Sequence, residues 1–323
     1  MTSMDERGRI ALLARILAWS EDERPPGIDV GIGDDAAVLT VPHASSRLVW
    51  TIDEQVEGSH FRRDFLSWRD IGWRSLMAAA SDLAAMGAVP WCALSALVLP
   101  DDVDDAALED IALGQCNAAR AMGAPVVGGN LARGPSLSIA TTLLGRCERA
   151  VERRGARAGD GVWIAGSVGL AAAGLKALER RIAEDDAPSA LAPAIAAWRA
   201  PRALIPEGRA MAVVAHAAVD VSDGLARDAD HVAEASRVCI VLEEARLVAD
   251  AALVAAADVL GESALDLALY GGEDYALVVA STVPIPGFRR IGEVREGEGL
   301  VLRGADGERA IEARGFDHFH FGL

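Results

Sequence analysis

The sequence predicts a mixed α+β chain built as two domains, and three observations carry that reading. The chain has 323 residues, too many for one ordinary hydrophobic core, and a prior of ~150 residues per domain divides it in two. Helix-like and strand-like segments alternate in both halves. Between the halves runs a polar stretch rich in Arg and Gly, Arg149 to Gly161. The expected domains are residues 1–148 and 149–323.

Residues 5–19 read as an amphipathic helix, with Ile10, Leu13, Ile16 and Leu17 at helical spacing. A Pro-Pro-Gly turn at Pro25 and the loop Gly31-Ile32-Gly33-Asp34-Asp35 lead to strands over Ala36 to Thr40 and Arg47 to Asp53. Ser67 caps a helix that starts at Trp68 and stops at Gly87. A strand over Trp91 to Leu99 and a helix over Asp104 to Met122 follow. A short strand, Pro125 to Val127, then runs into Gly128-Gly129-Asn130, and Ser136 to Arg146 closes the half as a strand.

In the second half the strand Val162 to Ala165 enters Gly166-Ser167 and a helix over Leu170 to Arg181. The Ala- and Pro-rich residues 183–206 hold a helix between loops. A helix around Glu207 to His216 leads to the strand Ala217 to Val221. Asp223-Gly224 opens a helix to Ser236, and Val238 to Leu242 is strand. The remainder reads as turns with short strands at Ala276 to Ala280 and Leu300 to Leu302.

Composition excludes several classes. Lys plus Arg number 31 against 48 Asp plus Glu, a net charge of −17, and a nucleic-acid binder needs the opposite balance on its binding face. An acidic chain that handles an anionic substrate must first gather metal cations. With 51% hydrophobic and 24% charged residues the chain is globular. Apolar runs such as Trp91 to Leu99 and Met211 to Val219 fall short of the ~20 residues of a membrane span. Met1 to Trp19 lacks a signal-peptide core. Cys92, Cys116, Cys147 and Cys239 form no CxxC pair, so reduced thiols in a cytoplasmic protein are expected, without zinc or disulfides.

The informative feature is a recurring set of acidic residues at strand ends or beside glycines: Asp34-Asp35, Asp53, Ser81-Asp82, Asp220, Ser222-Asp223 and Glu273-Asp274. Singly, Asp or Ser-Asp beside Gly is a turn residue or helix cap. Brought together, such carboxylates repel unless cations sit between them, and Mg²⁺ prefers oxygens of this kind with water and phosphate. The chain has neither a P-loop nor the strand–GxGxxG–helix unit of dinucleotide sites. A bound nucleotide would therefore rely on metals and scattered arginines. On residue type alone, His60 is a surface histidine, Arg153 and Arg154 are linker charges, and His318 and His320 make a poor metal site. Trp50, Trp73, Trp91 and Trp163 are core.

Seven motifs in order carry a resemblance. Gly31-Ile-Gly-Asp-Asp-Ala-Ala-Val, Asp53 with Val56-Glu-Gly-Ser-His60-Phe61, Ser81-Asp-Leu-Ala-Ala-Met-Gly-Ala and Gly128-Gly129 with Arg133-Gly134 lie in the first half. Asp220-Val-Ser-Asp-Gly-Leu, Gly271-Gly-Glu-Asp-Tyr and Gly315-Phe-Asp-His-Phe319 lie in the second. Together they resemble the thiamine-monophosphate kinase family, a relative of aminoimidazole-ribonucleotide synthetase and selenophosphate synthetase. The resemblance implies a two-domain α+β fold: N-terminal domains that join as a dimeric β-barrel with helices outside, and a C-terminal α/β sandwich-like domain. It implies ATP-dependent phosphorylation of thiamine monophosphate to thiamine diphosphate, with several Mg²⁺ ions, in a homodimer. By position it makes Asp35, Thr51, Asp53, Asp82, Asn130, Asp220 and Asp223 metal contacts. Gly129, Asn130, Arg153 and Ser222 become ATP contacts, and His60, Glu273 and Phe316 contacts to the acceptor. Two positions depart from the family pattern: Asn130 stands where it has Asp and Ile52 where it has Thr, both metal-site positions. A same-superfamily enzyme with another acceptor, or a nucleotide-binding regulator with a weakened metal site, are the alternatives.

Overall fold

The computed structural model describes residues 6–20, 23, 25–30, 38–41, 46–182 and 189–316. Gly31, Gly33, Asp34, Asp35, His318, Phe319 and His320 lie outside the described residues. The chain divides into two compact units, Met1–Leu83 with Ala88–Glu148, and Ala84–Gly87 with Arg149–Leu323. Both mix helices and strands, as expected.

The first unit contains α1 (Glu6–Leu17), β1 (Ile28–Val30), β2 (Val38–Leu39), β3 (Arg47–Val56), α2 (Trp68–Ala85), β4 (Val89–Leu99), α3 (Asp105–Met122), β5 (Val126–Arg133) and β6 (Ser138–Cys147). Ser67 and Asp70 cap α2 reciprocally: the Asp70 N–H donates to Ser67 Oγ at 3.2 Å, and the Ser67 N–H donates back to the Asp70 carboxylate at 3.1 Å. Asp104 caps α3, and Gly123 ends it with φ 72°.

The main sheet has the order β3-β6-β4-β5, antiparallel except for the parallel β4–β5 pair. Side chains alternate across it. One face holds Val49, Gln55, Ser95, Leu97, Ile139, Thr141 and Leu143, all buried, against α2 and α3. Gln115 of α3 donates to Ser75 Oγ of α2 at 3.1 Å and to Ser95 Oγ of β4 at 2.8 Å. The other face leaves Leu48, Trp50, Ile52 and Leu94 exposed. Trp50 is thus no core residue: it is 73% exposed, with its indole N–H on Thr142 Oγ1 at 2.6 Å. Trp91 is core, sealed by Ile28, Cys92 and Val127. The short strand expected before Gly128 continues through Gly128-Gly129-Asn130 to Arg133, because parallel pairing with β4 carries the glycines along. Within one chain the sheet is open, with β3 and β5 at its edges.

The second unit contains β7 (Gly161–Ala165), α4 (Leu170–Glu179), α5 (Ala192–Arg199), α6 (Ile205–Met211), β8 (Ala217–Val221), α7 (Leu225–Ser236), β9 (Cys239–Glu243), α8 (Glu244–Leu247), α9 (Ala251–Leu260), α10 (Ala264–Tyr270), β10 (Ala276–Ser281), β11 (Arg289–Arg295), β12 (Gly299–Gly304) and β13 (Gly307–Ile311). Its sheet runs β13-β12-β9-β11-β7-β10-β8, and only β9–β12 is parallel. Every residue of β8 and β10 is buried, so both faces of these strands are covered. The expectation of only turns and two short strands after Leu242 fails, since α9, α10, β11 and β13 lie there. The run Ala251–Leu260 is apolar almost all round and carries no 3.6-residue pattern.

Helices α2 and α3 cross at two glycines. A Cβ on Gly72 would lie 2.0 Å from the Ile111 carbonyl oxygen, and one on Gly114 would lie 2.1 Å from that of Arg69. Alanine in a helix interior gains about 1 kcal/mol over glycine, but overpacking costs about 1–3 kcal/mol. Backbone is the obstacle here, so the upper end applies. Gly72→Ala should lose about 1–2 kcal/mol net, read as a lower midpoint in urea; a raised midpoint would show that the helices separate freely.

Candidate active site

In the second unit, three segments distant in sequence meet. Asp220 lies near the end of β8, buried and in register with Leu277 of β10. After it, Ser222-Asp223-Gly224 turns into α7. The N–H groups of all three donate to one oxygen of the Asp228 carboxylate, each at 3.1 Å. Asp228 thereby caps its own helix from one turn inside. Burial, followed by the charges of Asp220 and Asp223, pushes its carboxyl up to about 7. The carboxylates here crowd one another.

Onto this loop dock the other two segments. The Glu273 N–H donates to the Ser222 carbonyl at 2.7 Å and the Tyr275 N–H to that of Val221 at 2.8 Å. The Phe316 N–H donates to the Asp223 carbonyl at 2.9 Å, and Arg227 donates to the Phe316 carbonyl. Asp220, Ser222, Asp223, Glu273 and Phe316 are thus gathered as a group. Arg153 lies near the far end of α7, its carbonyl accepting from Ser236 Oγ at 3.2 Å. Its charge and that of Arg227 act on His231, whose imidazole burial and these cations hold below its ordinary pKa.

The segment carrying Glu273 is strained. Glu273 has φ 65° and Tyr275 φ 49°, left-handed conformations that cost a non-glycine residue of order 1–3 kcal/mol each. Between them Asp274 is the anchor: its carboxylate accepts the N–H groups of Gly169 at 2.6 Å and Ala171 at 3.0 Å, at the start of α4. Burial pushes its carboxyl up to about 7. Asp274, grouped by sequence with the cation-gathering acids, instead fixes this turn. Sequence reasoning also missed Asp228; its one signal was an acid in the first turn after Asp223-Gly224.

In the first unit, Thr51 and Asp53 share the helix-facing side of β3. Thr51 Oγ1 donates to Asp82 of α2 at 2.5 Å. Asp53 accepts the Glu54 N–H at 2.7 Å and Gln55 Nε2 at 3.4 Å. His60 Nδ1 accepts the Val56 N–H at 3.0 Å, which leaves the proton on Nε2. Asp82 stands in the last turn of its helix with no basic residue there, where the helix dipole disfavours an anion.

The other assigned positions lie apart. Ile52 points to the exposed side of β3, 69% exposed beside Trp50, on the face opposite Thr51 and Asp53. Asn130 lies on the opposite edge strand. The cross-sheet row Glu54–Ala140–Ala96–Asn130 spans three strand spacings, about 14 Å. Gly129 ends the row of Asp53 in the same way. Within one sheet, therefore, Ile52 and Asn130 stand on opposite edge strands.

The donors fit a hard divalent cation: they are oxygens, crowded in one unit and set against a helix dipole in the other. Among the described residues no three His, Cys, Asp or Glu side chains cluster closely enough to hold a metal ion. Mg²⁺ takes one or two carboxylates and completes its shell with water and substrate phosphate. No described helix is long and apolar enough to cross a membrane.

Comparison with known proteins adds an independent line. The family described as AIR synthase related protein, N-terminal domain, matches residues 33–147. A thiamine-monophosphate kinase of Aquifex aeolicus is 35% identical over 292 residues, covering 89% of this chain and 92% of its own. The solved thiamine-monophosphate kinase of Stenotrophomonas maltophilia K279a superposes with a TM-score of 0.80 at 31% identity, covering 93% of this chain and 97% of its own. The solved AaThiL, complexed with AMPPCP and TMP, gives a TM-score of 0.80 at 30% identity, covering 99% and 100%.

Proposed function

The chain belongs to the thiamine-monophosphate kinase family, and we propose that it transfers the γ-phosphoryl group of ATP to the phosphate of thiamine monophosphate, giving thiamine diphosphate and ADP. The observation that carries this reading is the convergence of Ser222-Asp223, Glu273 and Phe316 from three separate segments, in a chain similar to these kinases over nearly its whole length.

The residues that would hold Mg²⁺ are Asp35, Thr51, Asp53 and Asp82 in the first unit's sequence and Asp220 and Asp223 in the second's. Bound there, the metal would neutralise phosphate charge and let two anions approach. Gly129, Arg153 and Ser222 are the nucleotide contacts. His60 offers its Nε2–H to a phosphate oxygen. Glu273 and Phe316 supply a carboxylate and an aromatic face, the two surfaces that suit a cationic thiazolium. No general base is required, because the acceptor phosphate is already largely ionised near neutral pH. The chain's own contribution is positioning and electrostatics.

The outward face of the first unit's sheet supports a homodimer. Leu48, Trp50, Ile52 and Leu94 are exposed together, and β3 and β5 each lack a neighbour on one side within the described sheet. A second copy would cover the face and pair both edges, closing two four-stranded sheets into a barrel. The same closure sets Asn130 of one copy toward β3 of the other, so a site using both would need two copies. The four cysteines are free, which suits the reducing cytoplasm.

Purified protein with ATP and Mg²⁺ should form one ADP and one thiamine diphosphate per thiamine monophosphate consumed, and should not use thiamine. Asp82→Asn should lower kcat roughly 100-fold or more with melting retained. Turnover of a different phosphate monoester alone would assign another acceptor, and near-normal activity in folded Asp82→Asn would remove Asp82 from the metal set.

The dimer reading is checked by sedimentation velocity. Trp50→Glu, placing a charge in the apolar face, should convert the native dimer to monomer at micromolar concentration. A dimer that persists, or a native protein that sediments as monomer, would discard this face as the interface.

A further inference from the structure

The acceptor site has a supporting side chain that no sequence motif marks. Trp198 stands at the C-terminal end of α5, 1% exposed, and its indole Nε1–H donates to Glu273 Oε2 at 2.6 Å. A buried indole N–H ordinarily finds some acceptor. Here the acceptor is the carboxylate of a residue held at φ 65° beside the Ser222–Asp223 loop.

The support behind Trp198 is rigid. Helix α5 packs so closely on α4 that a Cβ on Gly174 would lie 2.1 Å from the Ala194 carbonyl oxygen. Helix α4 in turn presents the N–H groups of Gly169 and Ala171 to Asp274. The α4–α5 pair therefore grips two successive residues, Asp274 at the start of α4 and Glu273 through the indole. The Glu273 backbone is pinned separately to Ser222. An indole donor is neutral. Unlike a lysine or arginine it orients a carboxylate without cancelling its charge.

We infer that Trp198 is a positioning residue of the acceptor site, holding the Glu273 carboxylate by its indole N–H so that the charge stays aimed at the cationic, amino-bearing organic end of the acceptor. This rests on the reading that Glu273 contacts the acceptor. Trp198 is buried and acts through Glu273, so its effect falls on acceptor affinity while nucleotide affinity is untouched.

The test is a double-mutant cycle on the full-length protein, with thiamine monophosphate and ATP varied in turn and melting recorded for each variant. Trp198→Phe keeps the aromatic bulk and removes the donor. It should raise KM for thiamine monophosphate about 10–150-fold, the range expected for one hydrogen bond to a charged group, and leave KM for ATP within about twofold. Glu273→Ala should raise the same KM at least as far, and adding Trp198→Phe to it should have no further effect. Additive effects, or a Trp198→Phe effect shared equally by both substrates, would mean that the indole only fills the core. Glu273→Ala with an unchanged KM would instead overturn the reading of Glu273 itself. A second readout does not depend on Trp198→Phe folding. In ¹⁵N-labelled native protein the Trp198 indole proton should resonate downfield and move upfield in Glu273→Ala; an unmoved resonance would overturn the inference.

Discussion

Repulsion between carboxylates is the constraint on which the rest of this structure depends. Asp220, Asp223 and Asp228 stand close enough that the first two raise the titration of the third. Asp82 sits against the negative end of a helix, with Thr51 donating to it. Such groups cost stability in an isolated protein and are tolerated where cations and phosphates complete them. A chain of net charge −17 that phosphorylates a phosphate must import positive charge, and these carboxylates are where it would enter.

The scaffold spends much of its hydrogen bonding on holding those groups still. Asp228 takes three backbone N–H groups of the loop that leads into α7. Asp274 does the same for the first turn of α4. Both are acids by type and structural by use. Between them they fix the two loops that carry Ser222, Asp223 and Glu273, and they keep a left-handed backbone at Glu273 that would otherwise relax. In the first unit the fixing is done by helix crossing, with Gly72 and Gly114 allowing α2 close enough to α3 to set Asp82 against β3.

Much of this was legible in the sequence because it depends on local chemistry. Ser67 and Asp104 announced their helices, and the buried strand Ala217–Val221 ran apolar until Asp220 broke it. What was hidden depends on register and on distance along the chain. Ile52 looked like a member of the metal site, but neighbours on a strand face opposite sides, so Thr51 and Asp53 point inward while Ile52 points out. Nothing in the sequence of Asn130 shows that its strand lies at the edge opposite β3. The helix Ala251–Leu260 escaped because an apolar run has no period to read. The bond from Trp198 to Glu273 joins residues 75 positions apart, and no local pattern signals it.

The most direct measurement is a melting comparison with and without Mg²⁺ at constant ionic strength, in the presence of a non-hydrolysable ATP analogue, for the native protein and Asp82→Asn. Ligand that binds only the folded state stabilises by RT ln(1 + [L]/Kd), about 2.7 kcal/mol at a hundredfold excess over Kd. If cations relieve the crowded carboxylates, Mg²⁺ with the nucleotide should raise the native melting temperature by several degrees and Asp82→Asn by clearly less. Equal shifts in both proteins, or none in the native protein, would contradict it.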